Sequence, residues 1–178
     1  MVFNRWRSRA LALCVASLWA LHSQAQGFPM SITERELKVA FIYNFMRFTE
    51  WPDEVGNTLT LCIRGPDPFG VPLDALQGKA VGSRTVVLQR RGFDSIKGCQ
   101  AVFIAAVAAS TQGQVLGELQ GKPVLTIADN PGAAGQGVHL NMAVVQNKIT
   151  FEANLQTART AQLKLSSQLL RLATEVIQ

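Results

Sequence analysis

Ala101-Val102-Phe103-Ile104-Ala105 is an unbroken apolar run with no polar side to offer water. A strand of that kind is buried on both faces, and sheets buried on both faces are largely parallel ones covered by helices. This points the chain toward a layered α/β arrangement, and the flanking segments agree. Leu59 to Ile63 reads as a first strand, broken by Gly65-Pro66-Asp67-Pro68, with Phe69 to Leu76 as a weak turn of helix after it. Thr85 to Leu88 is β-branched and apolar, a second strand. Residues 110–120 read as a modest helix stopped by Gly121. Val124 to Ala128 is a fourth strand, ended by the turn Asp129-Asn130-Pro131-Gly132. Val138 to Val145 and Lys148 to Ala153 are separated by Gln146-Asn147, the spacing of a hairpin.

Helices are expected at both ends. Ser31-Ile32-Thr33-Glu34 has capping-box spacing, so a helix should begin near Thr33 and run to about Trp51, where Pro52 closes it. Leu37, Ala40, Phe41, Phe45, Phe48 and Trp51 share one face, with Asn44 in its middle. Val39, Ile42, Tyr43 and Met46 lie roughly opposite. A helix apolar on two sides is sandwiched in a core or covered by a partner. Near the C-terminus, Leu165, Leu169, Leu172 and Val176 form a stripe that predicts a long helix from about Leu155 to Val176, with Lys164, Gln168, Arg171 and Glu175 in water. The expected fold is therefore a three-layer α/β domain of flavodoxin- or Rossmann-like type. Its sheet is mostly parallel, followed by a C-terminal antiparallel hairpin and a long C-terminal helix.

The first 25 residues read as a cleaved secretory signal. Arg5, Arg7 and Arg9 precede an apolar run from Ala10 to Leu21, and Ser23-Gln24-Ala25 offers small residues for cleavage near Ala25. The run falls short of the ~20 residues that span a bilayer, which weighs against a retained membrane anchor. Leu13 is too bulky before Cys14 for a lipobox. Three of the 17 Lys and Arg leave with such a segment, so 14 basic residues face 12 acidic ones and the net charge falls from +5 to +2. No basic run interleaved with aromatics remains to suggest nucleic acid. Residues 26–178 fit one domain. Their two cysteines, Cys62 and Cys99, are an even count in an exported chain and read as a disulfide. Two unpaired buried thiols are the alternative. A metal pair lacks further ligands, because His139 is the only histidine left.

Catalytic signatures do not emerge. No Gly-x-Gly-x-x-Gly follows a strand, Gly78-Lys79 lacks the rest of a P-loop, and no Gly-x-Ser-x-Gly elbow exists. His139 lies within a predicted strand, where a half-exposed structural histidine is the simpler reading. Glu152 sits on the solvent side of an alternating strand, and no carboxylate pair has useful spacing for acid–base work. Two places invite a ligand reading. The loop Asn130 to Gly137 follows a parallel strand, where α/β folds commonly bind ligands, and a plain crossover is its alternative. Asn44 either bonds a loop carbonyl inside the core or lines a pocket, and Arg84 and His139 complete the candidate ligand-binding set.

Several segments together resemble the YfiR family. They are Lys38-Val39-Ala40-Phe41-Ile42-Tyr43-Asn44-Phe45 through Trp51-Pro52, Leu61-Cys62-Ile63 with Asp67-Pro68-Phe69, Gly78-Lys79 with Arg84, and Cys99 before an apolar strand. Pro123 to Asp129, Ile149 to Asn154 and Ser166 to Leu170 follow in order. The resemblance covers nearly all of the mature chain. It implies a periplasmic regulator rather than an enzyme, with no cofactor. Such a protein binds the periplasmic part of an inner-membrane diguanylate cyclase and holds it inactive, lowering cyclic-di-GMP and biofilm formation. It also implies homodimers, an outer-membrane lipoprotein that relieves inhibition, and a disulfide mapping onto Cys62 and Cys99. The chain departs from the family at Gly135-Gln136-Gly137, where Ala133, Ala134 and Gln136 replace adjacent glycines and a nearby aromatic.

On this reading the candidate partner-binding surface is Val39, Ile42, Tyr43 and Met46. The same patch has two other readings, a homodimer seam or core against the sheet. A periplasmic small-ligand binder without a cyclase partner is the alternative function.

Overall fold

The structure, a computed structural model, describes residues 32–178. The expected signal segment and Ser31 lie outside the described residues. The elements begin α1 (Glu34–Arg47), β1 (Thr49–Glu50), β2 (Thr58–Arg64), α2 (Val71–Asp74), β3 (Ala80–Val81), β4 (Arg84–Gly92) and β5 (Ala101–Ile104). They continue α3 (Gln112–Leu119), β6 (Leu125–Ala128), β7 (Leu140–Val145), β8 (Lys148–Asn154), α4 (Leu155–Thr160), β9 (Lys164–Leu165), α5 (Ser167–Leu170) and β10 (Glu175–Ile177). Short 3-10 turns lie at Asp53–Val55 and Ala106–Thr111. None of the described helices is long and apolar enough to cross a membrane.

Helix α1 starts where expected, but its capping box is formed by Thr33 and Glu36. The Glu36 amide donates to Thr33 Oγ1 at 3.3 Å, and the Glu36 carboxylate accepts from the Thr33 amide at 2.7 Å. Two otherwise unpaired amides are satisfied reciprocally. The helix ends at Arg47, short of Trp51. Thr49 Oγ1 donates to the Phe45 carbonyl at 2.7 Å, the acceptor that the next helical amide would have used. Thr49 and Glu50 instead pair antiparallel with Leu165 and Lys164 of β9. Trp51 is buried, and its indole donates to the Gln100 carbonyl at 3.1 Å.

The main sheet has the order β10-β8-β7-β6-β5-β2-β4-β3. Four strands at its centre, β4, β2, β5 and β6, are parallel, with β2 between β4 and β5. Alternation on these strands fills two cores. Leu59, Leu61, Ile63, Phe103, Leu125 and Ile127 pack beneath α1 with Ile42, Phe45 and Met46. Cys62, Val102, Ile104 and Ala128 face the other way, against Val115 and Leu119 of α3. The ring of Phe151 on β8 meets the edges of Phe41 and Phe45, with centroids 6.2 and 5.0 Å away.

Two expectations are corrected. The crossover from β4 to β5 and the connection from β6 to β7 carry no α-helix, so the doubly wound flavodoxin- or Rossmann-like pattern is not established. The long C-terminal helix is absent. Its first six residues form α4, capped by Asn154, whose Oδ1 accepts from the Thr157 amide at 2.9 Å. Gln162 then takes a left-handed φ of 59°. From there Leu163 and Leu165 are buried while Gln162 and Lys164 are exposed, a period of two that suits β9. Ser166 caps the separate four-residue α5, and β10 adds parallel to β8 with Val176 opposite Ala153. Strand pairing therefore outweighs the leucine stripe, and Leu172 is left exposed. The hairpin stands as expected, with Gln146 and Asn147 at φ of 49° and 59°, the twist that two-residue turns favour.

Cys62 and Cys99 form a disulfide with Cα atoms 5.9 Å apart. It ties β2 to the segment that enters β5. Closing a loop of 37 residues is worth about 4 kcal/mol in the chain-entropy model. Reduction should therefore lower the unfolding free energy from urea titration by about 4 kcal/mol, and Cys62→Ala with Cys99→Ala should match it; equal values for oxidised and reduced protein would contradict the assignment. Gly65 offers a second check. Its φ is +91°, and a Cβ there would lie 3.1 Å from Ala108 Cβ and 3.3 Å from Ala105 Cβ. Gly82 has φ +59° but open space around it. Both Gly→Ala changes should cost about 1–2 kcal/mol for handedness. Gly65→Ala should cost a further ~1–3 kcal/mol for overpacking, read as the difference between the two midpoints.

Candidate functional site

The fold does not form the helical patch expected for a partner. Val39, Ile42 and Met46 are buried beneath the sheet-facing side of α1, which settles them as core. The correction has a simple cause: the strands beneath α1 supply enough apolar surface to cover that side of the helix. Tyr43 alone of the four is half-buried. Its hydroxyl donates to the Ala80 carbonyl at 2.8 Å, joining α1 to β3, and the Arg47 guanidinium lies 5.7 Å from its ring centroid. Asn44 is exposed rather than buried in a core face.

The expected ligand set is also dispersed. Arg84 opens β4 and donates to the Gly56 and Pro52 carbonyls at 2.8 and 3.2 Å, holding the loop before β2. His139 precedes β7. With β2, β5 and β6 between them, β4 and β7 are four strand spacings apart, about 19 Å.

His139 does line a cavity of about 200 Å³, together with Leu116, Thr126, Gln136, Gly137 and Thr157. Its position follows from the short pairing between β6 and β7, which spans only Ile127–Leu140 and Ala128–Asn141. One residue upstream the ladder is continued by side chains. The Thr126 amide donates to His139 Nδ1 at 3.0 Å, and the His139 amide donates to Thr126 Oγ1 at 3.0 Å. Because Nδ1 accepts, the neutral ring carries its proton on Nε2. Burial pushes the His139 pKa down to about 4, against a smaller opposite pull from the Thr157 backbone. The imidazole is thus a neutral interior acceptor whose free lone pair is already used, which suits a structural pin better than a general base.

The loop Asn130 to Gly137 folds onto α3. Ala133 and Ala134 are buried, and Asn154 Nδ2 donates to the Ala134 carbonyl at 2.9 Å. Gln112 Nε2 donates to Gln136 Oε1 at 2.9 Å, and Asn130 Nδ2 donates to Gln112 Oε1 at 3.4 Å. This amide chain borders the His139 cavity through Gln136. One polar centre escaped the sequence reading: Lys38 Nζ reaches Asp129 at 2.8 Å and Glu34 at 3.0 Å. Burial favours a neutral Lys38, yet the two carboxylates outweigh it and hold its pKa above the ordinary value. The Glu34–Lys38 spacing of four was the available signal; the Asp129 partner, 91 residues away, had none.

His139 gives a pH signature. Its folded pKa lies below its unfolded value near 6.5, so the unfolded chain binds the proton first and stability falls as pH drops from about 6.5 to about 4. The full loss is of order 3 kcal/mol. His139→Gln should flatten the melting temperature between pH 7 and pH 4 after subtraction of the carboxylate background. An unchanged slope would show that the ring does not titrate as a buried neutral group.

Comparison with known families adds one finding. The model described as YfiR/HmsC-like matches residues 35–174, from the first turn of α1 to the residue before β10. The chain therefore belongs to the YfiR/HmsC-like family.

Proposed function

We propose that this chain is a periplasmic regulatory protein that binds the periplasmic domain of an inner-membrane diguanylate cyclase and holds it inactive. The observation that carries the reading is the family match across residues 35–174. The disulfide supports it, since such bonds persist in the oxidising space where that domain lies. Inhibition requires only that the protein bind the inactive form of the cyclase more tightly than the active one. Lower cyclic-di-GMP and less biofilm follow. Homodimer formation, and relief by an outer-membrane lipoprotein, belong to the same reading.

The cavity beside His139 favours a second reading, a periplasmic small-ligand binder. Its volume of about 200 Å³ and its mixed lining of leucine, threonine, glutamine and imidazole suit a small, partly polar molecule.

One experiment separates the two. The oxidised mature protein is used to capture cyclase from detergent-solubilised inner membranes, and cyclic-di-GMP synthesis by the captured fraction is measured. Recovery of a cyclase with reduced synthesis is the expected outcome. No cyclase, together with a thermal shift from one member of a nucleotide and amino-acid panel, would overturn it in favour of the ligand reading. A ligand at a hundred times its Kd stabilises the fold by about 2.7 kcal/mol, well within reach of that assay.

A further inference from the structure

Arg64 is the last residue of β2 and is only 7% exposed. Arginine keeps its charge in any protein environment, so burial has to be offset by partners. Here the partners are incomplete. Nη1 donates to the Asp94 carbonyl at 2.6 Å, and the guanidinium carbon sits 5.5 Å from the Phe93 ring centroid. Nε is buried with no acceptor. The ion pairs among the described residues join Lys38 to Glu34 and Asp129, and Arg90 to Asp67 and Asp74; none includes Arg64.

The place is as informative as the charge. β2 lies between β4 and β5, and the chain leaves β2 toward one side of the sheet and β5 toward the other. The carboxyl ends of such strands are where α/β sheets open a crevice. Directly above Gly65 that crevice is closed by Ala105 and Ala108. The opening lies on the Cys62 face, where Arg64, Phe93, Asp94, Ser95, Lys97, Gln114 and Glu118 line a cavity of about 350 Å³. Lys97 adds a second cation. Of the two acids in the lining, Glu118 accepts from Gln114 Nε2 at 3.0 Å on its own helix, and Asp94 turns its main-chain carbonyl to the arginine.

Beside the cation, one side chain of the lining is apolar and the other five are polar or charged. Phe93 is 55% exposed against the guanidinium, and Val107 is 67% exposed next to Gly65. A buried arginine against one exposed aromatic ring, inside a polar rim, has the residue types of a protein-binding hot spot. A free small acid would satisfy the charge but leave Phe93 and Val107 in water. An acidic side chain on a protein surface would meet the cation from the cavity, and the surface around it would cover Phe93.

We propose that the Arg64 cavity is a docking site for a carboxylate borne by a protein partner, an Asp or Glu side chain that enters beside Phe93. The identity of that partner as the cyclase rests on the regulator reading above; the carboxylate chemistry does not.

The test has two arms. In the first, the 15N-labelled mature protein is titrated with N-acetyl-Leu-Glu-Leu amide, its Gln analogue and acetate, following the Arg64 Nε–H resonance. The Glu peptide should move that resonance and bind at least tenfold more tightly than acetate; the Gln peptide should leave it unmoved, and in Arg64→Met the Glu peptide should no longer shift the backbone amides of Asp94 and Ser95. Equal binding of both peptides, no movement with the Glu peptide, or acetate as tight as the Glu peptide overturns the proposal, the last by making the site one for small acids.

In the second arm, affinity for the periplasmic domain of the captured cyclase is compared between wild type and Arg64→Met. At least a tenfold loss is expected, with an unchanged or higher melting temperature, because an unpaired buried charge has been removed. Unchanged affinity overturns the proposal while leaving the regulator reading intact. A positive first arm with no cyclase bound by wild type does the reverse. Should Arg64→Met fail to fold, Phe93→Ser and Lys97→Gln on the rim of the cavity read the same loss.

Discussion

Strand β2 is the piece on which the remainder depends. It is paired along its length to β4 and, from Leu61 to Arg64, to β5 as well. Its alternating side chains supply both cores, Leu59, Leu61 and Ile63 to one and Cys62 to the other. It also carries one end of the disulfide, and it ends in a buried arginine followed at once by a glycine required both by its positive φ and by the close packing of Ala105 and Ala108. A strand buried on both faces has no freedom of register, because a shift of one residue would exchange the two cores and separate the cysteines from their bonding distance.

The polar interior is arranged around the places where the ladder weakens. β6 and β7 share only two paired positions, and the crossed bonds between Thr126 and His139 extend the seam with side-chain atoms. Asn154 caps α4 and anchors the loop after β6 with the same amide group. Lys38 reaches from α1 to Asp129, just beyond the end of β6. These contacts give Thr126, His139, Asn154 and Lys38 their partners near strand ends, where backbone partners run out.

Much of the sheet was legible because its information is local. Ala101 to Ile104, Leu125 to Ala128 and the Gln146-Asn147 turn each carry their signal within a few residues. The pairing of Cys62 with Cys99 needed only an even cysteine count in a chain read as exported. What misled was the C-terminal segment, where leucines at helical spacing coexist with the alternation Ala161-Gln162-Leu163-Lys164-Leu165. Local pattern admits both periods, and the pairing of β9 with β1 and of β10 with β8 selects between them. The side of α1 that carries Val39, Ile42 and Met46 was ambiguous for a similar reason: an apolar helix side does not declare what covers it. Arg64 was passed over because an arginine at a strand end is ordinary in sequence, and only three-dimensional burial without a counter-ion makes it unusual.

The cross-link between β2 and the entry to β5 has a bearing on when this chain is folded as well as on how firmly. Thiols stay unpaired in a reducing compartment. A chain synthesised there lacks a closure worth several kcal/mol out of a total stability that rarely exceeds ~15 kcal/mol. The reduced form therefore opens more often than the oxidised one, so the fraction of time this chain spends folded follows the redox potential around it.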